Sequence, residues 1–409
     1  MAADVGRPWW QDTLVALGLA AAPVVALGFT RFAYALLLPP MRGDLDWSYA
    51  AAGGMNTANA LGYIVGAATA AWWARRSGDR PVFLVALTMS AVALVLTGLT
   101  DHYGLLVTVR FAGGVTTAVT FVLGSALASR VASGPHRKRA ALLGAVYMAG
   151  VGIGVVLSGL LVPLALDHAD WQIGWLVLGG AAVLAVVPAT LALRRVPAAH
   201  GRMTAALPRL DVVHLAPTLA WYELFGAGYV SYMTFIVALL RDQGLDTGAT
   251  AVFFVVLGAA SVVSTLTVWG HLTARLPGGW APTAVSAVVA LGVLPVLLLP
   301  SGMPAALLSA VAFGVGFMAG PTAATVIARR ALPAHSLTAG IALLTVAFSI
   351  GQAAGPLLSG LLSDSSGIAV GLWLSVGLLI AAGLTAPWQR HRRVPQAAPA
   401  PPAPAELVR

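Results

Sequence analysis

The chain has 409 residues, of which 59% are hydrophobic and only 9% charged, and its mean hydropathy is +0.87. Soluble domains carry about 25% charged residues, so this composition excludes a soluble globular protein and points to an integral membrane protein. The absence of cysteine excludes disulfides and thiolate metal sites, and the net charge of +9 is spread over loops rather than gathered in a nucleic-acid-binding patch.

Apolar runs of about 20 residues predict an all-α membrane protein with about twelve transmembrane helices. In chain order they fall near 13–39, 47–73, 81–100, 103–131, 140–166, 171–193, 212–240, 247–274, 281–300, 303–328, 337–363 and 367–388. The first run exceeds a signal-peptide core and continues into Arg31, so it reads as a retained span. A polar stretch rich in arginine and proline, 194–211, reads as a cytoplasmic linker between an N-terminal bundle, 1–193, and a C-terminal bundle, 212–389. The segment 390–409 alternates proline and alanine and is expected to be a disordered tail.

Basic residues occupy alternate loops, at Arg75, Arg76 and Arg80, at Arg137, Lys138 and Arg139, at Arg194 and Arg195, at Arg329 and Arg330, and beyond Arg390. The intervening loops hold Asp44, Asp46, Asp101, Asp167, Asp170, Asp242, Asp246 and Asp364. This positive-inside pattern places both termini in the cytoplasm.

The two halves repeat. Gly154-Val-Val-Leu-Ser-Gly-Leu-Leu161 recurs as Gly355-Pro-Leu-Leu-Ser-Gly-Leu-Leu362, identical at six of eight positions, with an offset of 201 residues. Gly28-Phe29 and Phe32 pair with Gly228-Tyr229 and Tyr232, and Leu45-Asp46 with Leu245-Asp246, at an offset of 200. Two registers agreeing within one residue indicate duplication of a six-span unit in parallel orientation.

Arg110-Phe-Ala-Gly-Gly114 resembles the arginine-to-glycine motif in the fourth span of major facilitator superfamily transporters, and Gly144, Gly150, Gly154 and Gly159 resemble that superfamily's glycine-rich antiporter helix. The loop Trp73-Ala-Arg-Arg-Ser-Gly-Asp-Arg80 resembles its signature between spans two and three, departing at Arg75, where the family usually has an aspartate. The run Gly28-Phe-Thr-Arg-Phe-Ala-Tyr-Ala-Leu-Leu-Leu-Pro-Pro-Met41 and the segment from Gly54 to Tyr63 look like the YbfB/YjiJ-type branch. The resemblance implies two pseudo-symmetric six-helix bundles around a cavity lined by spans one, four, seven and ten. It also implies alternating access in a bacterial cytoplasmic membrane, and a gating role for Arg75 and Arg76.

Three charges lie inside apolar spans: Arg31, Arg110 and Glu223. Such side chains usually face a bundle interior or a water-filled cavity. Helical rise puts Arg31 roughly 12 Å and Arg110 roughly 10 Å below the outer face, and Glu223 roughly 16 Å from the inner one. The guanidinium groups suit recognition of an anion; the structural alternatives are bracing of span four on span one by Arg110 and pairing of Arg31 with Glu223. Glu223, the sole acid placed deep in a span, reads either as a proton carrier or as a fixed counter-ion. Tyr34, Tyr222, Tyr229 and Tyr232 offer aromatic surface to a substrate or pack the bundle. Asn56 and Asn59, on one helical face with Tyr63, read as gate residues with Gln352 as a partner, or as pathway lining.

Neither a Walker sequence nor a GxSxG nucleophile nor an HExxH pair occurs. The reading is therefore a transporter and not an enzyme: monomeric, with no cofactor or metal, whose partners are protons, the lipid bilayer and a small organic anion or amphipathic anionic metabolite. Export is slightly favoured by the resemblance of the fifth span. The alternatives are a multidrug exporter of aromatic or cationic compounds and, from another class, a ligand-sensing receptor.

Overall fold

The computed structural model describes residues 9–131, 139–196, 209–332 and 337–389. The expected tail 390–409 lies outside these residues, as does most of the expected linker. Twelve long helices account for nearly all of the described chain, and there is no strand among them. They are α1 (Trp9–Asp44), α2 (Tyr49–Ser77), α3 (Asp79–Thr97), α4 (Tyr103–Val131), α5 (Ala140–Leu166) and α6 (Trp171–Leu193). The second set is α7 (Arg209–Asp242), α8 (Thr247–Thr267), α9 (Trp280–Leu298), α10 (Met303–Ala331), α11 (Leu337–Ser366) and α12 (Ile368–Thr385).

Eleven of these are long and apolar enough to cross a membrane. The twelfth, α2, has the length, 29 residues, but carries Asn56, Thr57 and Asn59. It tolerates them because α4 and α11 pack along it and bury Asn56 and Asn59. Three helices depart from the single runs expected. α1 is interrupted at Ala20 and Ala33. α8 ends at Thr267, and a short helix Trp269–Arg275 follows; α10 breaks at Met318.

The helix ends form two faces of opposite character. The acidic face holds Asp44, Asp101, Asp170, Asp246 and Asp364; the basic face holds Arg75, Arg76, Arg194, Arg195 and Arg330. Contacts such as Asp44 to the Trp171 indole (2.8 Å), and Arg80 to the Val196 carbonyl, tie the ends together on each face.

Helix pairing reproduces the duplication. α2 packs on α4, and α3 on α6, as α8 packs on α10, and α9 on α12. The halves meet along α2–α11 and α5–α8, two interfaces that the repeat exchanges. The glycines of the repeated motif mark equivalent crossings. A Cβ on Gly154 would lie 2.8 Å from the Gly28 Cα, and one on Gly355 would lie 2.8 Å from the Ala227 Cα. Small residues let backbones approach this closely where lipid supplies no hydrophobic drive for association.

Closure between the halves is one-sided. On α2 the face toward α11 is buried at Gly53 and Ala60 but exposed at Ala68, and on α11 it is buried at Gly360 and Ala353 but exposed at Ala342. The halves are therefore pressed together toward the acidic face and part toward the basic one.

Candidate functional site

The site begins with a fault in α1. Pro23 lacks an N–H and its ring crowds the preceding turn, so the α ladder cannot run through it. From Val24 to Phe32 the helix is a π-helix, with Ala33 N–H bonded to the Gly28 carbonyl (2.9 Å) and the Thr30 hydroxyl to the Val25 carbonyl (2.9 Å). π segments are rare and concentrate at functional sites. One extra residue in a turn rotates all that follows by about 100° relative to an α continuation. That rotation decides where Arg31 points.

Arg31 is 3% exposed, and among the described residues neither its Nε nor its Nη2 has a hydrogen-bond partner, nor is a carboxylate within ion-pair distance. The Tyr63 ring lies over it, its centroid 5.5 Å from Cζ. A buried donor left unpaired costs about 1–3 kcal/mol, and more when charged. The alternative pairing with Glu223 does not occur: Glu223 is exposed on α7 and forms no ion pair among the described residues.

Beside Arg31 stands a wall of aromatic rings. Tyr222 stacks on Trp221 (5.1 Å between centroids) and on Phe348 of α11 (4.3 Å). Tyr229 stacks on Phe225 (5.5 Å) and Phe348 (5.6 Å), and meets Phe32 of α1 edge-on (6.4 Å). Phe317, at the break in α10, closes the group against Phe32 (5.6 Å). Arg31, Tyr63, Tyr229, Phe317 and Gln352 lie thirteen or fourteen residues from the acidic-face ends of their helices, about 20 Å along each axis. They form one layer at mid-bundle. Arg31 is thus deeper than expected, because α1 continues through Pro39 and Pro40 to Asp44.

Arg110 sits to one side of this layer and braces its neighbours through both Nη atoms, its Nε alone lacking a partner among the described residues. Its Nη1 donates to the Thr30 carbonyl (2.6 Å) and its Nη2 to Asn56 Oδ1 (3.1 Å), while its guanidinium lies 4.9 Å from the Tyr34 ring and 5.3 Å from that of Trp175. Tyr34 in turn donates to the Ala52 carbonyl (2.8 Å). These contacts match the structural alternative for Arg110 and Tyr34, and they lock α4, α1 and α2 together.

The polar residues of α2 divide between two tasks. Asn56 donates to the Thr234 hydroxyl of α7 (2.7 Å), and Thr57 to the Ala353 carbonyl of α11 (2.6 Å), so both cross between halves. Asn59 stays within its own half, donating to the Arg110 carbonyl (3.2 Å). Gln352 does not meet either asparagine; its Nε2 donates to the Tyr229 hydroxyl (2.8 Å). Tyr232 packs within its own half, its hydroxyl 2.5 Å from Ser309 and its ring stacked on Phe313. Sequence reasoning missed Thr57 and Thr234, since a threonine in a helix ordinarily bonds back to its own turn, as Thr234 also does to Val230.

Residues 23–386 match the family described as uncharacterised MFS-type transporter YbfB. The chain belongs to the major facilitator superfamily. This YbfB-type transporter is 30% identical over 399 residues to a chloramphenicol resistance protein of Streptomyces lividans, covering 94% of this chain and 98% of that protein. It is 23% identical to the uncharacterised MFS-type transporter YtbD of Bacillus subtilis, over 93% of this chain and 96% of the relative. Among solved structures, a bacterial homologue of the human lysosomal transporter Spinster, inward-facing and occupied, superposes with a TM-score of 0.69 at 17% identity, covering 93% of this chain and 96% of the other. The nucleoside transporter NupG does so with a TM-score of 0.70 at 13% identity, over 93% and 98%. These two establish the fold alone.

In this YbfB-type transporter the loop between α2 and α3 shows what replaces the missing aspartate. Arg75 and Arg76 are exposed on the basic face, Arg76 over the Trp72 ring (5.8 Å). The acid of the loop stands instead at Asp79, where it forms an ion pair with Arg130 at the end of α4.

Proposed function

We propose that this protein is a secondary active transporter, driven by protons, which moves small aromatic molecules bearing an anionic or strongly electronegative oxygen group, and that it works as an exporter. The observation that carries the reading is Arg31: a buried guanidinium with two unpartnered donor atoms beside a wall of stacked rings. A planar fork of donors suits the paired oxygens of a carboxylate, sulfonate or nitro group. The rings suit the aromatic body that bears it. The chloramphenicol resistance protein supports export, and chloramphenicol itself is a nitroaromatic compound. That relationship favours, as second reading, an exporter of neutral aromatic drugs.

With basic loops in the cytoplasm of a bacterial inner membrane, the closed acidic face is outside and the parted halves open inward. Glu223 is the proposed proton carrier. An ionised carboxylate is costly in lipid, so an exposed one within a span needs water reaching it through that opening. Arg110, Tyr34 and Tyr232 belong in this reading to the scaffold, and Tyr222 and Tyr229 to the wall. Asn56 takes the gate role, with Thr57 beside it.

Counterflow of radiolabelled chloramphenicol and benzoate in proteoliposomes tests the reading. Wild type should exchange at least one of them and Arg31→Ala neither; equal exchange by both proteins would remove Arg31 from the site.

A further inference from the structure

The unpartnered donors of Arg31 in the first half have a counterpart in the same layer of the second. Gln352 is completely buried, and among the described residues its Oε1 receives no hydrogen bond although its Nε2 is fixed to the Tyr229 hydroxyl. Tyr229 links the two groups: it lies within electrostatic reach of the Arg31 charge, and its ring belongs to the wall. Arg31 and Gln352 also occupy the same layer of the bundle, one on α1 and the other on α11. The layer therefore offers a surplus of donors from one half and a single surplus acceptor from the other, with aromatic rings between.

We infer that the substrate is bifunctional: an aromatic compound whose acidic or nitro oxygens meet Arg31 and whose hydroxyl or amide N–H donates to Gln352 Oε1. This deepens the proposed function and rests on Arg31 being the recognition cation. Gln352 is then the residue that sets specificity, because an analogue lacking the donor would bury the amide oxygen unpaired. Tyr229 is the positioning residue that holds the amide with its oxygen turned away from its own hydroxyl. A ligand of this kind touches both halves at once, so its arrival couples α1 to α11 across the interface that must part during transport.

Binding to the full chain in lipid nanodiscs, measured by titration calorimetry, tests the inference with benzoate and its 2-, 3- and 4-hydroxy derivatives. Wild type should bind one hydroxybenzoate at least about tenfold more tightly than benzoate. Gln352→Met, of similar volume, should lose that preference and bind the hydroxybenzoates no more tightly than benzoate, whereas Arg31→Ala should lose all four. Equal wild-type affinity for the four, or a preference surviving in Gln352→Met, would overturn the role of Gln352 while benzoate binding upheld that of Arg31. Failure of wild type to bind any of them would overturn both. The wild-type ratio needs no variant, so the inference remains testable even where Gln352→Met fails to fold.

Discussion

Asp364, at the acidic-face end of α11, caps the first turn of α2 in the opposite half. Its two carboxylate oxygens accept the backbone N–H groups of Tyr49 (2.7 Å) and Ala50 (2.9 Å). The first N–H groups of a helix have no partner within it and carry a partial positive charge, which a carboxylate both satisfies and neutralises. Below this cap the Thr57 and Asn56 bonds continue the seam. A cap contributed by one half to the other holds only while the halves are closed on that face.

Asp364→Ala should therefore favour opening of the acidic face. Hydrogen bonds to a charged group are worth about 1.5–3 kcal/mol each, so the closed state should lose at least tenfold in relative population. The chain contains no cysteine, and Ala353→Cys would place a thiol opposite Thr57 inside the seam. Its labelling by a membrane-impermeant maleimide should rise at least severalfold in the Asp364→Ala background. Unchanged labelling would show that the cap does not restrain the gate.

The two buried arginines should respond oppositely to removal. Arg110→Met deletes bonds to Thr30 and Asn56 and should destabilise the fold by about 2–4 kcal/mol. Arg31→Met removes a buried charge with unpaired donors and should leave the melting temperature unchanged or raised. Ligand-induced thermal shifts should reverse the order, with Arg31→Met abolishing the shift. A large loss of stability in Arg31→Met would reveal a structural partner for that side chain.

The glycine crossings give a graded test of packing. Gly154→Val would force a side chain into the backbone of α1, and Gly355→Val into that of α7, whereas Gly144 has nothing within 4 Å of its would-be Cβ. Overpacking costs about 1–3 kcal/mol or more where backbone cannot yield. Both crossing variants should lower the yield of folded protein, and Gly144→Val should not. Equal behaviour of the three in size-exclusion profiles would contradict the equivalence of the two crossings.

Hydropathy made the helices legible, and even α2 was found in spite of its asparagines, because its length and flanking loops define it. The duplication was legible at Gly154 and Gly355, and the structure confirms it as a pair of equivalent close approaches. Depth along a helix follows from residue count, but direction around it does not. Residue count puts Glu223 deep in its span and leaves open whether it pairs with a cation or carries protons, and the structure exposes it without an ion pair among the described residues. Arg31 and Arg110 looked alike in sequence, and only the π segment after Pro23 and the carbonyl of Thr30 separate an unpaired cation from a braced one. Asp79 escaped notice because the resemblance directed attention to Arg75, whereas its partner Arg130 lies 51 residues away.

Glu223 provides the test of energy coupling. Its carboxylate has no ion-pair partner among the described residues and is exposed, as the proposed exchange of protons with water entering from the basic face requires. A carrier must be charged in one part of the cycle and neutral in another, and Glu223→Gln fixes the neutral form. Exchange between two equally loaded compartments needs no net proton movement and should persist in this variant. Accumulation driven by a pH gradient should fall to the level set by equilibration. Because no cation depends on Glu223, the melting temperature should stay within about a degree of wild type, as for surface substitutions that change stability by under about 0.5 kcal/mol. Full pH-driven accumulation in reconstituted liposomes would exclude Glu223 as the carrier. Asp12, a buried acid near the start of α1, would then be the next residue to replace.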